Sequence, residues 1–325
     1  MKKPPFTLST KAISMIADIS ALAERFAIHF EKNALKLRKA NRIKTIYSSL
    51  AIEGNKLSES QVEDILDGKK VVAPLREIQE VKNAIATYDN FAKFNPFSIA
   101  DLKKAHKLMM SRLVKNAGEF RKGGVGVFNG DQAVHIAPPA ERVDTLISNL
   151  FDWLKNAEDH LLIRSCVFHY EFEFIHPFAD GNGRIGRLWQ SLILAKLNPI
   201  FQYLPVETMV HDNQHKYYKA INDSSGAADS GIFIDFMLGE IFKALKAHKI
   251  SVKSGTLNGT ANGTANGTVK LEEILKYIRK HQGANRTEIS NALNIPIRTV
   301  SRYLKTLSGK IEFRGAPKTG GYFIK

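Results

Sequence analysis

The chain has 325 residues, of which 44% are hydrophobic and 24% are charged, and its formal net charge is +15. This length corresponds to about two domains, and the composition excludes a wholly disordered chain. The single cysteine, Cys166, excludes a disulfide framework and a cysteine-rich zinc site, and we expect it to be buried.

The charge is concentrated near the C-terminus. Between Lys270 and Lys325 there are 12 Lys and Arg against 4 Glu, a net charge of +8. Such a surface suits a polyanionic partner, such as nucleic acid or nucleotide, or is simply a solvated basic face. The basic N-terminal residues precede no apolar signal-peptide core, and no run of about 18 apolar residues occurs. We therefore expect a soluble, cytoplasmic protein with no membrane partner.

Helical periodicity dominates the first 250 residues, as in the series Leu146, Leu150, Trp153 and Leu154. One segment, residues 123–136, breaks this pattern, because alternating apolar residues flank an Asn-Gly-Asp turn. This arrangement predicts a β-hairpin. The hairpin is either an edge on which an extended peptide docks or a structural decoration.

The seven residues 49–55 read SLAIEGN, and within the helical pattern they are typical of a helix C-terminus with Gly54 as its capping residue.

Residues 176–187 read HPFADGNGRIGR. The apolar helix predicted for residues 161–174 must end before Pro177, and helical spacing resumes at Ile185, so a tight loop opens a second helix. Gly181 and Gly183 allow the loop N–H groups to converge beside that helix N-terminus, an arrangement that suits phosphate oxygens.

Side chains of the same segment add chemistry to the predicted phosphate site. Arg184 and Arg187 lie three residues apart and supply bidentate donors. Asp180 offers a hard oxygen of the kind that Mg²⁺ takes together with nucleotide phosphates. His176 has an ordinary pKa of about 6.5, which suits proton abstraction near neutral pH. The chain lacks the P-loop of the common NTPases.

These twelve residues match the HPFx(D/E)GNGRxxR motif of the Fic family, and the chain resembles that family from about residue 40 to residue 245. The resemblance implies an all-α Fic fold with a small β-hairpin flap that docks an unknown target protein near residues 123–136. It also implies Mg²⁺-dependent transfer of AMP from ATP to a Ser, Thr or Tyr hydroxyl of that target.

The resemblance assigns roles to individual residues. His176 would be the base, Asp180 would hold Mg²⁺, and Arg184 and Arg187 would bind the phosphates. The remaining assigned residues would line the anion hole or contact adenine, and they are Gly181, Asn182, Gly183, Tyr217 and Tyr218. The segment 222–226 departs from the Asn-rich turn that helps to seat adenine in the family. The identity of the nucleotide is therefore less firmly predicted than phosphate binding.

Residues 49–55 also resemble the inhibitory (S/T)xxxE(G/N)N motif of Fic proteins, with Ser49, Glu53 and Asn55 at its defining positions. The resemblance implies that Glu53 pairs with Arg187 and occupies the guanidinium needed for the γ-phosphate.

Residues 251–268 repeat Asn-Gly-Thr every four residues, which predicts a flexible linker. Beyond it, three short helical patterns and two strand patterns resemble a winged helix-turn-helix. Its third helix would present Arg298, Arg302 and Lys305 to DNA. Docking of a protein partner and a purely structural cap are the alternative interpretations.

The sequence thus predicts an autoinhibited nucleotidyltransferase that uses ATP and Mg²⁺. Two other functions stay open: removal of AMP by the same site, and transcriptional regulation with a nucleotide-sensing core. A homodimer is also left open.

His211 and His215 are interpreted as a surface pair, because no adjacent Glu completes a metal site. The predicted regions are an N-terminal helical region 1–95, a catalytic core 96–250, a linker 251–269 and a winged helix 270–325.

Overall fold

The structure is a computed structural model. It describes residues 3–30, 34–129, 132–204, 206–253, 273–293, 295, 297–307, 309, 311–316 and 320–324. Two compact units are present, Met1–Lys253 and Ser254–Lys325. Most of the predicted linker, residues 254–269, lies outside the described residues.

The first unit is mostly helical, which confirms the predicted fold class. Its helices are α1 (Thr10–Phe30), α2 (Ala34–Ile52), α3 (Glu59–Leu66), α4 (Leu75–Asp89), α5 (Ile99–Met109), α6 (Val143–Asn156), α7 (Leu161–Ile175), α8 (Asn182–Leu197), α9 (Val206–Asp212), α10 (Gln214–Ala227) and α11 (Gly231–Lys253). None of the helices within the described residues is long and apolar enough to cross a membrane.

Helices α7 and α8 pack against each other in the middle of this unit. Helix α7 is buried along most of its length, since its apolar residues are spread over all sides rather than along one stripe. Helix α8 is buried along most of its length as well, but its buried side chains include polar ones such as Arg187 and Gln190. Large side chains such as Phe168, Phe172 and Trp189 fill the space around them, and Cys166 is buried there as expected. The loop between α7 and α8 is therefore carried by the most buried part of the fold.

Helix α2 packs against α3, α4 and α9 and also contacts α8. It ends at Ile52, and Gly54 follows with a left-handed φ of 89°. Ser58 then caps α3 through a reciprocal capping box with Gln61. Because α2 touches α8, its C-terminal end lies beside the α7–α8 loop.

A two-stranded antiparallel hairpin confirms the strand prediction for residues 123–136. Strand β1 (Gly126–Asn129) pairs with β2 (Gln132–Ile136), with a register irregularity between Val127 and Phe128. The Ala137 N–H donates to the Val125 carbonyl at 3.3 Å and closes the base of the hairpin. The predicted turn residues Gly130 and Asp131 lie outside the described residues.

The second unit has the helices and strands of a winged helix. They are α12 (residues 273–280), α13 (Arg286–Leu293), α14 (Ile297–Thr306), β3 (Ile311–Arg314) and β4 (Gly321–Ile324). Strands β3 and β4 are antiparallel, with Ile311 opposite Ile324. Buried apolar side chains from all three helices, including Ile278, Ile289 and Val300, form a separate core.

Candidate active site

His176 lies at the C-terminal end of α7, where the chain leaves the buried helix. Its φ of 51° is left-handed, although its N–H still donates to the Phe172 carbonyl at 2.9 Å. Pro177 follows and cannot continue the helix. A left-handed non-glycine residue costs on the order of 1–2 kcal/mol, so the surrounding contacts must hold this conformation.

The imidazole of His176 is oriented by its own helix. Nδ1 lies 3.4 Å from the Glu173 carbonyl oxygen. Because a carbonyl can only accept, this contact requires the proton to be on Nδ1. In the neutral ring, Nε2 is then the nitrogen with a lone pair, which is the form a general base needs.

The loop after His176 is closed by the side chain of Asn182. Its amide oxygen accepts from the Phe178 N–H and its amide nitrogen donates to the Phe178 carbonyl, both at 2.9 Å. The Asn182 side chain is thus engaged within the loop. Gly181 has φ 83°, and a Cβ there would lie 2.6 Å from Met110 Sδ, so the turn requires glycine.

Asp180 is partly exposed beside the N-terminus of α8. Its Oδ1 accepts from the Gly181 N–H at 2.6 Å and from Arg184 Nη2 at 3.4 Å, and Oδ2 lies 3.8 Å from Arg76 Nη2. Among the described residues no group of three His, Cys, Asp or Glu could hold a metal ion. An accessible single carboxylate nevertheless fits Mg²⁺, which takes one or two protein ligands together with substrate phosphates and water.

Arg184 is buried in the first turn of α8, with 3% of its surface exposed. Its Nε and Nη1 have no hydrogen-bond partner among the described residues, and Glu80 Oε1 lies 3.9 Å from Nη1. Unsatisfied buried donors are costly, especially on a charged group. Together with the N–H groups that open α8, they form a site with unused capacity for an anion.

Arg187, one turn further along α8, is 1% exposed and is bound to the end of α2. Its Nη2 donates to Glu53 Oε1 at 2.8 Å and to the Ser49 carbonyl at 3.1 Å, while its Nε has no partner among the described residues. Burial acts to lower the pKa of this guanidinium, but Glu53 and Tyr217 oppose it and the net pKa is raised. Arg187 is therefore a fixed cation.

Glu53 reaches Arg187 because the two helices approach closely at Gly183. A Cβ at Gly183 would lie 2.6 Å from Glu53 Oε1 and 3.0 Å from Arg187 Nη1. The left-handed Gly54 ends α2 directly after the glutamate, as its capping role predicts. A glycine on each side of the contact thus permits the ion pair.

Asn55 attaches the rest of the 49–55 segment to α4. Its side-chain nitrogen donates to Glu80 Oε2 at 2.8 Å and to the Glu77 carbonyl at 3.2 Å. Glu80 in turn faces Arg184, as described above. Both arginines at the start of α8 are consequently opposed by carboxylates from the N-terminal helices, Arg187 closely and Arg184 at longer range.

Behind the arginines lies a buried polar network. Glu173 has an unpartnered Oε1, and its pKa is raised to about 7 by burial, with Arg187 opposing the shift. His169 contacts Gln190 Oε1 at 2.6 Å and the Tyr217 hydroxyl at 3.0 Å, and burial lowers its pKa to about 4. Tyr217, predicted to contact adenine, is thus held in this network, whereas Tyr218 is 44% exposed.

The predicted DNA-contacting residues all lie on α14. The side chains of Arg298 and Lys305 are outside the described part of the structure. Arg302 is exposed, with its guanidinium carbon 5.3 Å from the centre of the Tyr303 ring. The interpretation of α14 as a DNA-reading helix stays a prediction.

Two buried residues near the loop were not predicted from the sequence. His106 on α5 stacks on Phe178 at 3.7 Å, and its Nδ1 accepts from the Gly118 N–H while Nε2 lies 2.9 Å from the Asp180 carbonyl. Arg121 contacts the carbonyl of His176. Neither residue belongs to a recognisable motif, and only their long-range contacts reveal them.

The chain is similar to known proteins in both of its units. A Fic/DOC family model matches residues 96–194, and a winged helix-turn-helix DNA-binding model matches residues 270–308. The crystal structure of a Fic family protein from Desulfovibrio desulfuricans G20 is similar over all of this chain and 98% of its own, with 39% identity and a TM-score of 0.75.

More distant relatives share part of the chain. Protein adenylyltransferase Fic of Culex quinquefasciatus is 32% identical over 195 residues, which is 56% of this chain and 37% of that protein. Fic-1 of Caenorhabditis elegans has a similar fold, with 21% identity, a TM-score of 0.59 and coverage of 75% of this chain and 74% of the solved fragment. The chain spans little more than a third of the mosquito relative.

Proposed function

Because this chain belongs to the Fic family, we propose that it is a protein adenylyltransferase that transfers AMP from ATP to a Ser, Thr or Tyr hydroxyl of another protein, and that Glu53 inhibits it. The observation that carries this proposal is the pair of buried guanidinium groups beside the N-terminus of α8. Nε of both Arg184 and Arg187 lacks a hydrogen-bond partner among the described residues. Such donors match phosphate oxygens.

His176 would act on the attacking hydroxyl. Its Nε2 accepts the hydroxyl proton while the target oxygen forms a bond to the α-phosphorus of ATP. The bond between the α-phosphorus and the bridging oxygen breaks, and pyrophosphate leaves. A positioned base of this kind is typically worth about 10²–10⁴ in rate.

The start of α8 would hold the triphosphate. Its first N–H groups and the two buried arginines would stabilise negative charge there. Asp180 would hold Mg²⁺, which, when bound, neutralises the charge on the phosphates. The protein's contribution is mainly alignment and electrostatic stabilisation.

Inhibition would follow from competition for Arg187. The Glu53 carboxylate already occupies Nη2 of that guanidinium at 2.8 Å. A γ-phosphate needs the same donors, so the carboxylate and the triphosphate exclude each other from the productive position. Removing the carboxylate leaves Arg187 available to the nucleotide.

The test is label transfer from α-labelled ATP into proteins of a cell lysate with Mg²⁺ present. Glu53→Gly is expected to increase labelling at least tenfold, and addition of His176→Ala is expected to abolish it. Glu158→Gly, at an exposed glutamate between α6 and α7, serves as the matched control and should behave as the parent. Transfer of γ-label instead would indicate phosphorylation, and absence of both labels would refute the proposal.

A transcriptional regulator with a nucleotide-sensing core is the second candidate, because residues 270–308 match a DNA-binding helix-turn-helix model. Tight, sequence-specific DNA binding without transfer of either label would favour it. Removal of AMP by the same site would appear as release of label from a modified target that depends on Glu53.

A further inference from the structure

Arg121 lies immediately before the hairpin and is 6% exposed. Its guanidinium joins the two ends of the segment that forms the hairpin. Nη1 donates to the Gly123 carbonyl at 2.9 Å, and Nη2 donates to the Pro138 carbonyl at 2.5 Å. The base of the hairpin is therefore held by one side chain in addition to its strand pairing.

The same side chain holds the end of α7. Nε donates to the His176 carbonyl at 2.7 Å, and Nη2 also lies 3.2 Å from the Ile175 carbonyl. The main-chain N–H of Arg121 donates to the Pro177 carbonyl at 2.9 Å. One residue thus binds three consecutive carbonyls, with His176 in the middle.

These contacts fall where the backbone most needs support. His176 has a left-handed φ of 51°, a conformation that persists in a non-glycine residue only when its surroundings over-determine it. The direction of the imidazole depends on that backbone, since the Cα–Cβ bond turns with it. A change in the contacts of the His176 carbonyl would therefore change where Nε2 points.

We propose that Arg121 is a positioning residue for proton abstraction, one that fixes the orientation of His176 and joins it rigidly to the base of the hairpin. This inference rests on the proposed function, in which His176 activates the hydroxyl, and on the expectation from the family resemblance that the hairpin docks the target. The hairpin that would deliver the hydroxyl and the imidazole that would accept its proton are then both positioned by Arg121. Misplacement by about 1 Å can cost about 10² in rate.

The planar guanidinium is essential to this role. It presents five donors in a fixed fork, so it reaches carbonyls of the hairpin and of α7 at the same time. A lysine ammonium carries three donors on one atom, and it cannot span both groups. We therefore expect Arg121→Lys to restore only part of what Arg121→Gln loses.

The experiment compares Arg121→Gln, Arg121→Lys and the matched control Arg142→Gln in the full chain carrying Glu53→Gly. Arg142 is an exposed arginine beyond the other end of the hairpin. Transfer from α-labelled ATP is expected to fall about 10- to 100-fold in Arg121→Gln and less in Arg121→Lys. Affinity for ATP, measured by calorimetry, should stay within about twofold, because Arg121 contacts none of the phosphate-binding side chains described above.

A second measurement does not depend on activity. The imidazole ¹⁵N resonances of His176, assigned by their loss in His176→Ala, should shift in Arg121→Gln while those of His169 stay in place. Unchanged resonances and unchanged transfer would overturn the inference, as would failure of both Arg121 variants to fold. If the parent transfers no label yet the His176 resonances shift, the proposed function fails and the positioning role stands.

Discussion

The α7–α8 loop is held in different ways on its two sides. On the side of α2 and α4, carboxylates face the two arginines at the start of α8, with Glu53 2.8 Å from Arg187 and Glu80 3.9 Å from Arg184. On the side of the hairpin, Arg121 binds main-chain carbonyls at 2.5–3.2 Å. Both sides use arginine, but the partners are charged side chains in one case and uncharged backbone in the other.

The difference concerns what can replace each partner. A triphosphate carries charge of the same sign as a carboxylate, so in the proposed function it competes with Glu53 for Arg187, and this side would be changed by a ligand. Main-chain carbonyls have no such competitor, and no substitution of the partner residue removes them. The α2 side is therefore suited to a contact that a ligand replaces, whereas the hairpin side is suited to keeping a fixed geometry.

The largest change in stability is expected from Asn182, whose side chain closes the α7–α8 loop. Asn182→Ala removes both hydrogen bonds to the buried main chain of Phe178. Each buried group left without a partner costs about 1–3 kcal/mol, so the free energy of unfolding should fall by about 2–6 kcal/mol. Urea unfolding measures this change. A loss below about 1 kcal/mol would show that the loop is held by other contacts.

An intermediate change in the free energy of unfolding is expected from Glu173, which lies behind Arg187. Burial raises its pKa to about 7, above the ordinary value of 4.5. With this raised pKa, the contribution of Glu173 to stability is fully present below about pH 4.5 and is lost as the pH rises through 7. Glu173→Gln removes this penalty.

We therefore expect Glu173→Gln to raise the free energy of unfolding by about 3 kcal/mol at pH 8 and to leave it nearly unchanged at pH 4. Thermal unfolding at both pH values measures the difference. Glu158→Gln, at an exposed glutamate between α6 and α7, is the control and should have little effect at either pH. A gain of equal size at both pH values would show that ionisation of Glu173 is not its cause.

The smallest effect is expected from Gly183→Ala, because it weakens only the ion pair between Glu53 and Arg187. The new Cβ would lie 2.6 Å from Glu53 Oε1, so the carboxylate must withdraw from Arg187. Label transfer should rise a few-fold, and the rise should vanish when Glu53→Gly is already present. An equal rise in both backgrounds would show that the added methyl acts on the nucleotide site and not on the ion pair.

Much of the architecture follows from patterns within short stretches of sequence. Helical periodicity predicted α7, α8 and α14, and the alternation around an Asn-Gly-Asp turn predicted the β1–β2 hairpin. Pro177 and the left-handed Gly181 marked the corner between the two buried helices. These features are local, because the residues that determine them are close in sequence and in space.

The contacts that organise the candidate site needed the tertiary structure. Glu53 meets Arg187 across 134 positions, and Arg121 meets His176 across 55. The motifs indicated the first pair through the family resemblance, but nothing in the sequence indicated the second. Main-chain carbonyls leave no trace in residue identity, so a side chain that binds them cannot be recognised from a pattern of residue types.

The sequence alone therefore determined which groups can do chemistry here: an imidazole, two guanidinium groups and a carboxylate in one short segment. How those groups are constrained, with carboxylates on one side and a carbonyl-binding arginine on the other, depends on contacts between residues that are far apart in the chain. Residue type sets charge and proton affinity, whereas burial and distance set which of those properties can act.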